Sequence, residues 1–314
     1  MELTNPQVEV LMATWNGASF LEEQLDSLFG QTFRDFRLIV RDDGSADATL
    51  EIVERYKANY PGQVVIERNP ERLGPCRNFA MLAQESTAPY VAFCDQDDIW
   101  REDKIATSLA AMKTAEKEHG TEVPVLVFSD MTLIDEKRRI LVPSLWKMAH
   151  LDPQRANLGS MLVQNLVTGC TAMANRSLIR QASPIPQDAQ MHDVWLGLVA
   201  AAFGILQPLN DLMVQYRQHE RNAVGTGRRW EPRNLLTRLR RDYRMVKERI
   251  QTSRTQSERF ARRYEKQLTD QQKMTLEIWS KSKDLPPVVR QWTLHRRGLR
   301  GTTLHNHLGF LARV

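Results

Sequence analysis

Three carboxylates fall within four positions at Asp95-Gln96-Asp97-Asp98, directly after the apolar run Tyr90-Val91-Ala92-Phe93-Cys94. Carboxylates this close repel one another unless a cation neutralises them, and hard divalent ions such as Mg²⁺ or Mn²⁺ favour carboxylate oxygen. A solvated loop whose aspartates cap the next helix is the competing reading of the same residues. Farther on, Asp193 falls in the first turn of an apolar helical run, where either the helix dipole or a catalytic role would account for an acid. His219 lies in the polar stretch Arg217 to Gly225; it could ligate a metal or be a hydrogen-bonded surface group. Thr14, Asn16, Asp42 and Asp43 occupy two early turns and offer donors and acceptors suited to a base and a ribose.

Such side chains need elements to bring them together. Val8 to Thr14, Phe36 to Val40, Val64 to Glu67 and the run from Tyr90 are short and apolar enough for buried strands. Between them lie helical patterns: Leu21, Leu25 and Leu28 behind a Ser19-x-x-Glu22 capping box, Ile52 to Tyr56 behind Asp47, and Arg77 to Gln84. Arg101 to Glu118 continues the rhythm with Ile105, Leu109 and Met112 on one face. Alternation of this kind predicts a mostly parallel sheet with right-handed crossovers, and ligands gather at the carboxyl ends of its strands. A strand at Val125 to Asp130 with a hairpin or extension after it, and a helix capped by Asn175, follow. The less periodic Pro143 to Asn165 is expected as a loop over the site, and Gly169 as a point of close approach.

No GxGxxG follows the first strand and no GxxxxGK[ST] occurs, which disfavours a dehydrogenase and a P-loop NTPase. No run of 18 apolar residues and no basic-then-apolar leader is found, so neither a membrane span nor a signal peptide is expected. Cys76, Cys94 and Cys170 are odd in number and lack CxxC spacing, which points to a reducing cytoplasm. The net charge of +5 is unevenly spread: residues 228 to 314 hold 22 Lys+Arg and 8 Asp+Glu, a balance of +14. That tail, with Leu236, Leu239, Tyr243, Val246 and Ile250 at helical spacing, is suited to packing on the catalytic part, to an anionic membrane surface or to partner helices.

In chain order, Thr14-Trp15-Asn16-Gly17, Asp42-Asp43-Gly44-Ser45, Asn69 to Asn78, Asp95-Gln96-Asp97-Asp98, His192-Asp193-x-Trp195 and Gln218-His219-x-x-Asn222 resemble family 2 glycosyltransferases of the GT-A fold. FCDQDDIW and YRQHERNAVG look most similar to bacterial rhamnosyltransferase-like members that build surface polysaccharide. The resemblance implies an α/β GT-A fold with a mostly parallel central sheet flanked by helices. Residues 1–227 would form its catalytic domain, with a nucleotide-sugar half to about residue 100, and 228–314 a basic helical extension.

It also implies roles. Asp97 would bind Mg²⁺ or Mn²⁺ at the donor diphosphate, Asp95 the ribose or the metal, Asp98 the metal or donor sugar, and His219 would be a further metal or diphosphate ligand. Asp43, with Asp42 beside it, matches the pyrimidine contact; Thr14 and Asn16 match the first nucleotide turn, and Arg72 and Arg77 are phosphate or base contacts. Asp193 matches the inverting base. The family often places Glu before that Asp; here it is His192, which with Trp195 is expected at the donor or acceptor sugar. The implied reaction is hexosyl transfer from a nucleotide-diphosphate sugar, dTDP-rhamnose among the candidates, to a glycan or lipid-linked acceptor at the inner face of the cell membrane. The competing readings are a UDP-sugar transferase, a nucleotidyltransferase at the same acidic site, and a binding module led by the basic tail, with nucleic acid disfavoured and oligomers through the tail open.

Overall fold

Val8 to Thr14 is enclosed on both faces, as a central parallel strand must be, and its one acid, Glu9, is accommodated by partners rather than by water. Arg37 and Ser86 both bond its carboxylate, and the amides of Thr87 and Ala88 add to them. The computed structural model describes residues 6–219, 235–296, 298, 299 and 301–303.

The chain opens with β1 (Val8–Thr14), α1 (Leu21–Phe29), β2 (Phe36–Asp42), α2 (Thr49–Asn59), β3 (Val64–Arg68), α3 (Pro75–Glu85) and β4 (Tyr90–Cys94). β5 (Ile99–Trp100), α4 (Lys104–His119), β6 (Val125–Ile134) and β7 (Ile140–Val142) follow. After the short helices α5 (Leu145–Met148) and α6 (Leu158–Val163) come β8 (Met173–Asn175), α7 (Arg176–Ala182), α8 (His192–Phe203) and β9 (Ile205–Arg217). The C-terminal part is helical: α9 (Leu235–Arg263), α10 (Asp270–Lys281) and α11 (Pro287–Arg296).

Among the described residues one sheet runs in the order β3-β2-β1-β4-β8-β6-β9-β5, with β7 on β6. The pairs β3·β2, β2·β1 and β1·β4 are parallel, as the alternating pattern predicts; β8 joins antiparallel to both β4 and β6. Register places Thr14 opposite Asp42 and Met12 opposite Cys94, so three loop-bearing strand ends lie side by side. β9 runs parallel to β6, and its residues Val214 and Gln215 pair antiparallel with the two residues of β5. That last pairing delivers the end of β9 to the loop just ahead of Ile99.

Local expectations held unevenly. Asn175 accepts the Leu178 amide and caps α7 as expected. The Ser19-x-x-Glu22 box does not form: the Gly17 carbonyl takes the amides of Phe20 and Leu21, while Glu22 pairs with Arg55. Asp47 holds the start of α2 through the Thr49 amide and also takes the Ala18 amide of the first turn.

Two compact units emerge: Met1–Leu145 with Val167–Gly225, and Trp146–Leu166 with Thr226–Val314. The segment expected as a loop over the site is thus partly helical and belongs with the C-terminal helices. Within that second unit Ser253 donates to the Leu162 carbonyl at 2.6 Å, Thr302 Oγ1 receives the Asp152 amide and the Gln164 side chain, and a Cβ on Gly159 would lie 2.7 Å from the Gly298 carbonyl. Ile250, Phe260, Leu276 and Trp279 are buried there. The stripe from Leu236 to Val246 has side chains outside the described residues, as does Asn222 of the Gln218-His219 motif. No helix among the described residues is long and apolar enough to cross a membrane.

Candidate active site

β1, β2 and β4 end at one edge of the sheet, and each hands its chain to a polar turn. In the first two turns the conspicuous acids bond their own turns and loops. Asp42 is 1% exposed; its Oδ1 accepts the hydroxyls of Thr14 (2.9 Å) and Ser45 (2.5 Å), and its Oδ2 the amides of Gly44 and Ser45. Thr14 is buried with it. Both therefore shape the turn. Asp43 accepts the amides of Leu73 (2.7 Å) and Gly74 (2.8 Å) and the Asn69 amide group (2.9 Å), tying the 69–74 loop to β2. Asn16 takes a left-handed backbone conformation, φ 48°, which asparagine tolerates, and its Oδ1 receives the Ala46 amide.

What faces outward here is Trp15, 37% exposed, with the Arg72 guanidinium 3.5 Å above its ring. Arg77 lies in the first turn of α3, beyond that loop. Gln96, the residue between Asp95 and Asp97, clasps the Trp15 backbone: Oε1 takes its amide at 2.9 Å and Nε2 donates to its carbonyl at 3.1 Å. Neither Trp15 nor Gln96 stood out among the charged motif positions.

At the end of β4 the three aspartates separate in role. Asp97 sits beside His219, with Nε2 of the imidazole 2.7 Å from Oδ2. Asp98 is fully buried; its Oδ1 accepts the Arg217 amide, and burial together with Asp97 and Asp95 pushes its carboxyl well above the ordinary range. In this structure it is enclosed rather than open to a donor sugar. Burial, then the charges of Asp97 and Asp193, raise Asp95 to about 7. Asp95, Asp98 and the Cys170 thiol bring their ligand atoms within 4.8 Å of one another. Burial drives the thiol well above its usual range, so it stays protonated and is a poor partner for a hard ion. The Asp97 carboxylate and the His219 imidazole meet as an oxygen and a nitrogen donor of kinds that Mn²⁺ accepts, with the Asp97 charge acting on Asp95 nearby.

Asp193 is 8% exposed, in the first turn of α8, and its charge acts on Asp95 across the site. Its Oδ2 accepts the Gly169 amide at 3.1 Å and its Oδ1 the Val194 amide at 2.7 Å, fixing the carboxylate as an oriented acceptor. Two residues expected at the sugar are enclosed. His192 is packed against Phe79 and Phe93, ring centroids 4.3 and 5.0 Å away, and burial lowers its pKa to about 3, leaving it neutral. Trp195 is 1% exposed and donates to the Ala182 carbonyl. Every residue of α8 from His192 to Ala200 is buried, so neighbours of Asp193 in sequence do not share its outlook. Gly169 is close-packed as expected, but on His192: a Cβ there would lie 2.8 Å from Nε2.

Sequence reasoning passed over two buried cations. Lys104, 1% exposed, sits 3.6 Å from the Trp100 ring centroid; burial lowers it to about 8, while Cys94, Cys170 and Asp98 act against that shift. Arg217, 0% exposed, bonds the Asp97 carbonyl and Glu23. An Arg closing an apolar strand, two positions before a candidate metal ligand, was the available signal.

A mixed, largely parallel sheet with an acidic loop after β4, a histidine after β9 and an oriented aspartate at the start of α8 is that of a GT-A-type glycosyltransferase. The chain belongs to glycosyl transferase family 2, whose profile matches residues 9–181. It is 27% identical over 226 residues to the dTDP-rhamnosyl transferase RfbG of Shigella flexneri, covering 68% of this chain and 73% of that one. It is 26% identical to the putative teichuronic acid biosynthesis glycosyltransferase TuaG of Bacillus subtilis, over 68% of this chain and 79% of that one. Among solved structures, S. aureus TarS 1-349 in complex with UDP-GlcNAc superposes with a TM-score of 0.57 at 16% identity, over 98% and 90% of the two chains. The mannosyltransferase PcManGT of Pyrobaculum calidifontis, in complex with GDP-Man and Mn²⁺, gives 0.56 at 18% identity, over 95% and 74%.

Proposed function

We propose that this glycosyltransferase is metal-dependent and inverting, and that it moves a hexose, with dTDP-rhamnose the first donor to try, to a glycan or lipid-linked acceptor of a surface polysaccharide. The observation that carries the reading is the meeting of Asp97 Oδ2 and His219 Nε2 at 2.7 Å beside Asp95. Likeness to a dTDP-rhamnosyl transferase supports the donor, and a structural neighbour in complex with Mn²⁺ supports the ion.

Asp97, Asp95 and His219 would hold the cation. Bound there, it neutralises charge on the nucleoside diphosphate leaving group. Trp15 offers an aromatic face to the base. Asp43 holds Asn69 Nδ2 where a ring N–H of a pyrimidine could bond instead, with Asn16 at the ribose edge and Arg72 and Arg77 toward the phosphates. Thr14 and Asp42 act through the turn they build. Asp193 accepts the proton of the acceptor hydroxyl as its oxygen bonds the anomeric carbon and the bond to the phosphate oxygen breaks, which inverts that centre. The amides of Gly169 and Val194 fix the orientation of the carboxylate for this.

Incubation with dTDP-rhamnose and with UDP-sugars, with and without EDTA, tests the reading. Free nucleoside diphosphate lost on chelation and in Asp97→Ala supports it. Pyrophosphate as product would instead indicate nucleotidyl transfer, and activity indifferent to both changes would refute metal dependence.

A peripheral site at an anionic membrane is the second reading, with residues 228–314 as the basic extension of the catalytic domain 1–227. It is favoured by α11, where Val288 is 79% exposed and Trp292 59%, with Arg296 4.8 Å from the Trp292 ring. Trp292→Glu should reduce co-sedimentation with anionic vesicles; unchanged sedimentation would refute the reading.

A further inference from the structure

Arg217 ends β9 with no exposed surface, two positions before His219, and two of its donors reach the acidic loop that carries Asp97. Nε donates to the Asp97 carbonyl at 2.9 Å, and the main-chain amide to Asp98 Oδ1 at 3.1 Å. Nη1 donates to the Glu136 carbonyl at 3.1 Å and Nη2 to Glu23 Oε2 at 2.7 Å. The guanidinium also lies 4.6 Å from the Phe20 ring, which packs at 5.1 Å against the His219 imidazole. Glu23, on α1, is itself braced by Arg138. A planar fork that reaches three acceptors at fixed angles is a task for arginine and not for lysine. Stability alone is a weak reason to keep it, because burying an ion pair gains little over an apolar replacement.

We propose that Arg217 is a positioning residue: it locks the Asp97 main chain and, through Phe20, the His219 ring into the geometry that receives the divalent cation, with Glu23 anchoring it to α1. The idea rests on the metal reading above. It explains how one side chain joins α1, the acidic loop and the end of β9, segments that sequence leaves far apart. Asp97 and His219 touch the ion; Arg217 acts only through them.

The test is Mn²⁺ titration of the full-length protein, without donor, followed by electron paramagnetic resonance, with thermal unfolding in EDTA as the check on folding. Changes behind metal ligands weaken affinity by about 10- to 100-fold, so Arg217→Lys should bind Mn²⁺ about tenfold more weakly or worse, with an altered bound-ion spectrum. Glu23→Gln, which keeps the arginine but loosens its anchor, should also weaken Mn²⁺ binding, by less than Arg217→Lys does. A folded Arg217→Lys with wild-type affinity and spectrum overturns the proposal. Should that variant fail to fold, Glu23→Gln decides, and unchanged Mn²⁺ affinity in it overturns the proposal as well. If the wild type itself shows no Mn²⁺ binding that Asp97→Ala removes, the metal reading falls and this proposal with it, a result distinct from loss of the Arg217 effect alone.

Discussion

His219 Nε2 and Asp97 Oδ2 lie 2.7 Å apart although 122 positions separate them in the chain. Deleting a metal ligand should be at least as damaging as disturbing the groups behind one, so His219→Ala should raise the Mn²⁺ concentration for half-maximal activity by about tenfold or more. Activity as a function of Mn²⁺ measures this, and an unshifted curve would remove His219 from the ligand set.

Asp193→Asn keeps the shape of the site and removes the proton acceptor. General-base loss commonly lowers the chemical step by about 10²- to 10⁴-fold, and that fall in kcat is expected here with nucleotide affinity unchanged by calorimetry. Retained kcat would move the base elsewhere.

Trp15→Ala should weaken nucleoside diphosphate binding by about 1–3 kcal/mol, the range for losing a base-stacking aromatic ring. Calorimetry with dTDP and UDP checks this; equal affinities would mean that the ring serves the turn alone.

Glu9 gives a stability prediction apart from the chemistry. Burial alone would raise its carboxyl pKa, but bonds from Ser86, Arg37 and the amides of Thr87 and Ala88 outweigh it and hold the group below 4.5. A depressed pKa contributes stability above the unfolded-state value and loses it as pH falls through the folded value. Glu9→Gln should cost about 1–3 kcal/mol at neutral pH, the scale for charged hydrogen bonds, with the difference from wild type shrinking below about pH 4. Melting curves from pH 3 to 7 would expose the opposite trend if the charged form were not the favoured one.

The strands and their order of use were legible because parallel strands buried on both faces leave continuous apolar runs, as in Val8 to Thr14 and Tyr90 to Cys94. The acids that end those strands were legible for the same reason. What each acid bonds was not: Asp42 and Asp43 are adjacent, yet one fills its oxygens within its own turn and with Thr14, and the other ties in a loop thirty residues on. His192 and Trp195 were drawn to the site by nearness to Asp193, but α8 is buried around its circumference at that end. Arg217 and Lys104 depend on tertiary burial that no local period encodes.

The clasp of Gln96 on the Trp15 backbone joins the turn proposed to meet the base to the loop proposed to meet the ion. Two ligands bound to such joined segments must report on each other. Whatever factor a nucleotide lends to cation affinity, the cation returns to the nucleotide, because coupling free energy is reciprocal. On the proposed reading, the amide side chain between Asp95 and Asp97 would make donor and metal mutual effectors.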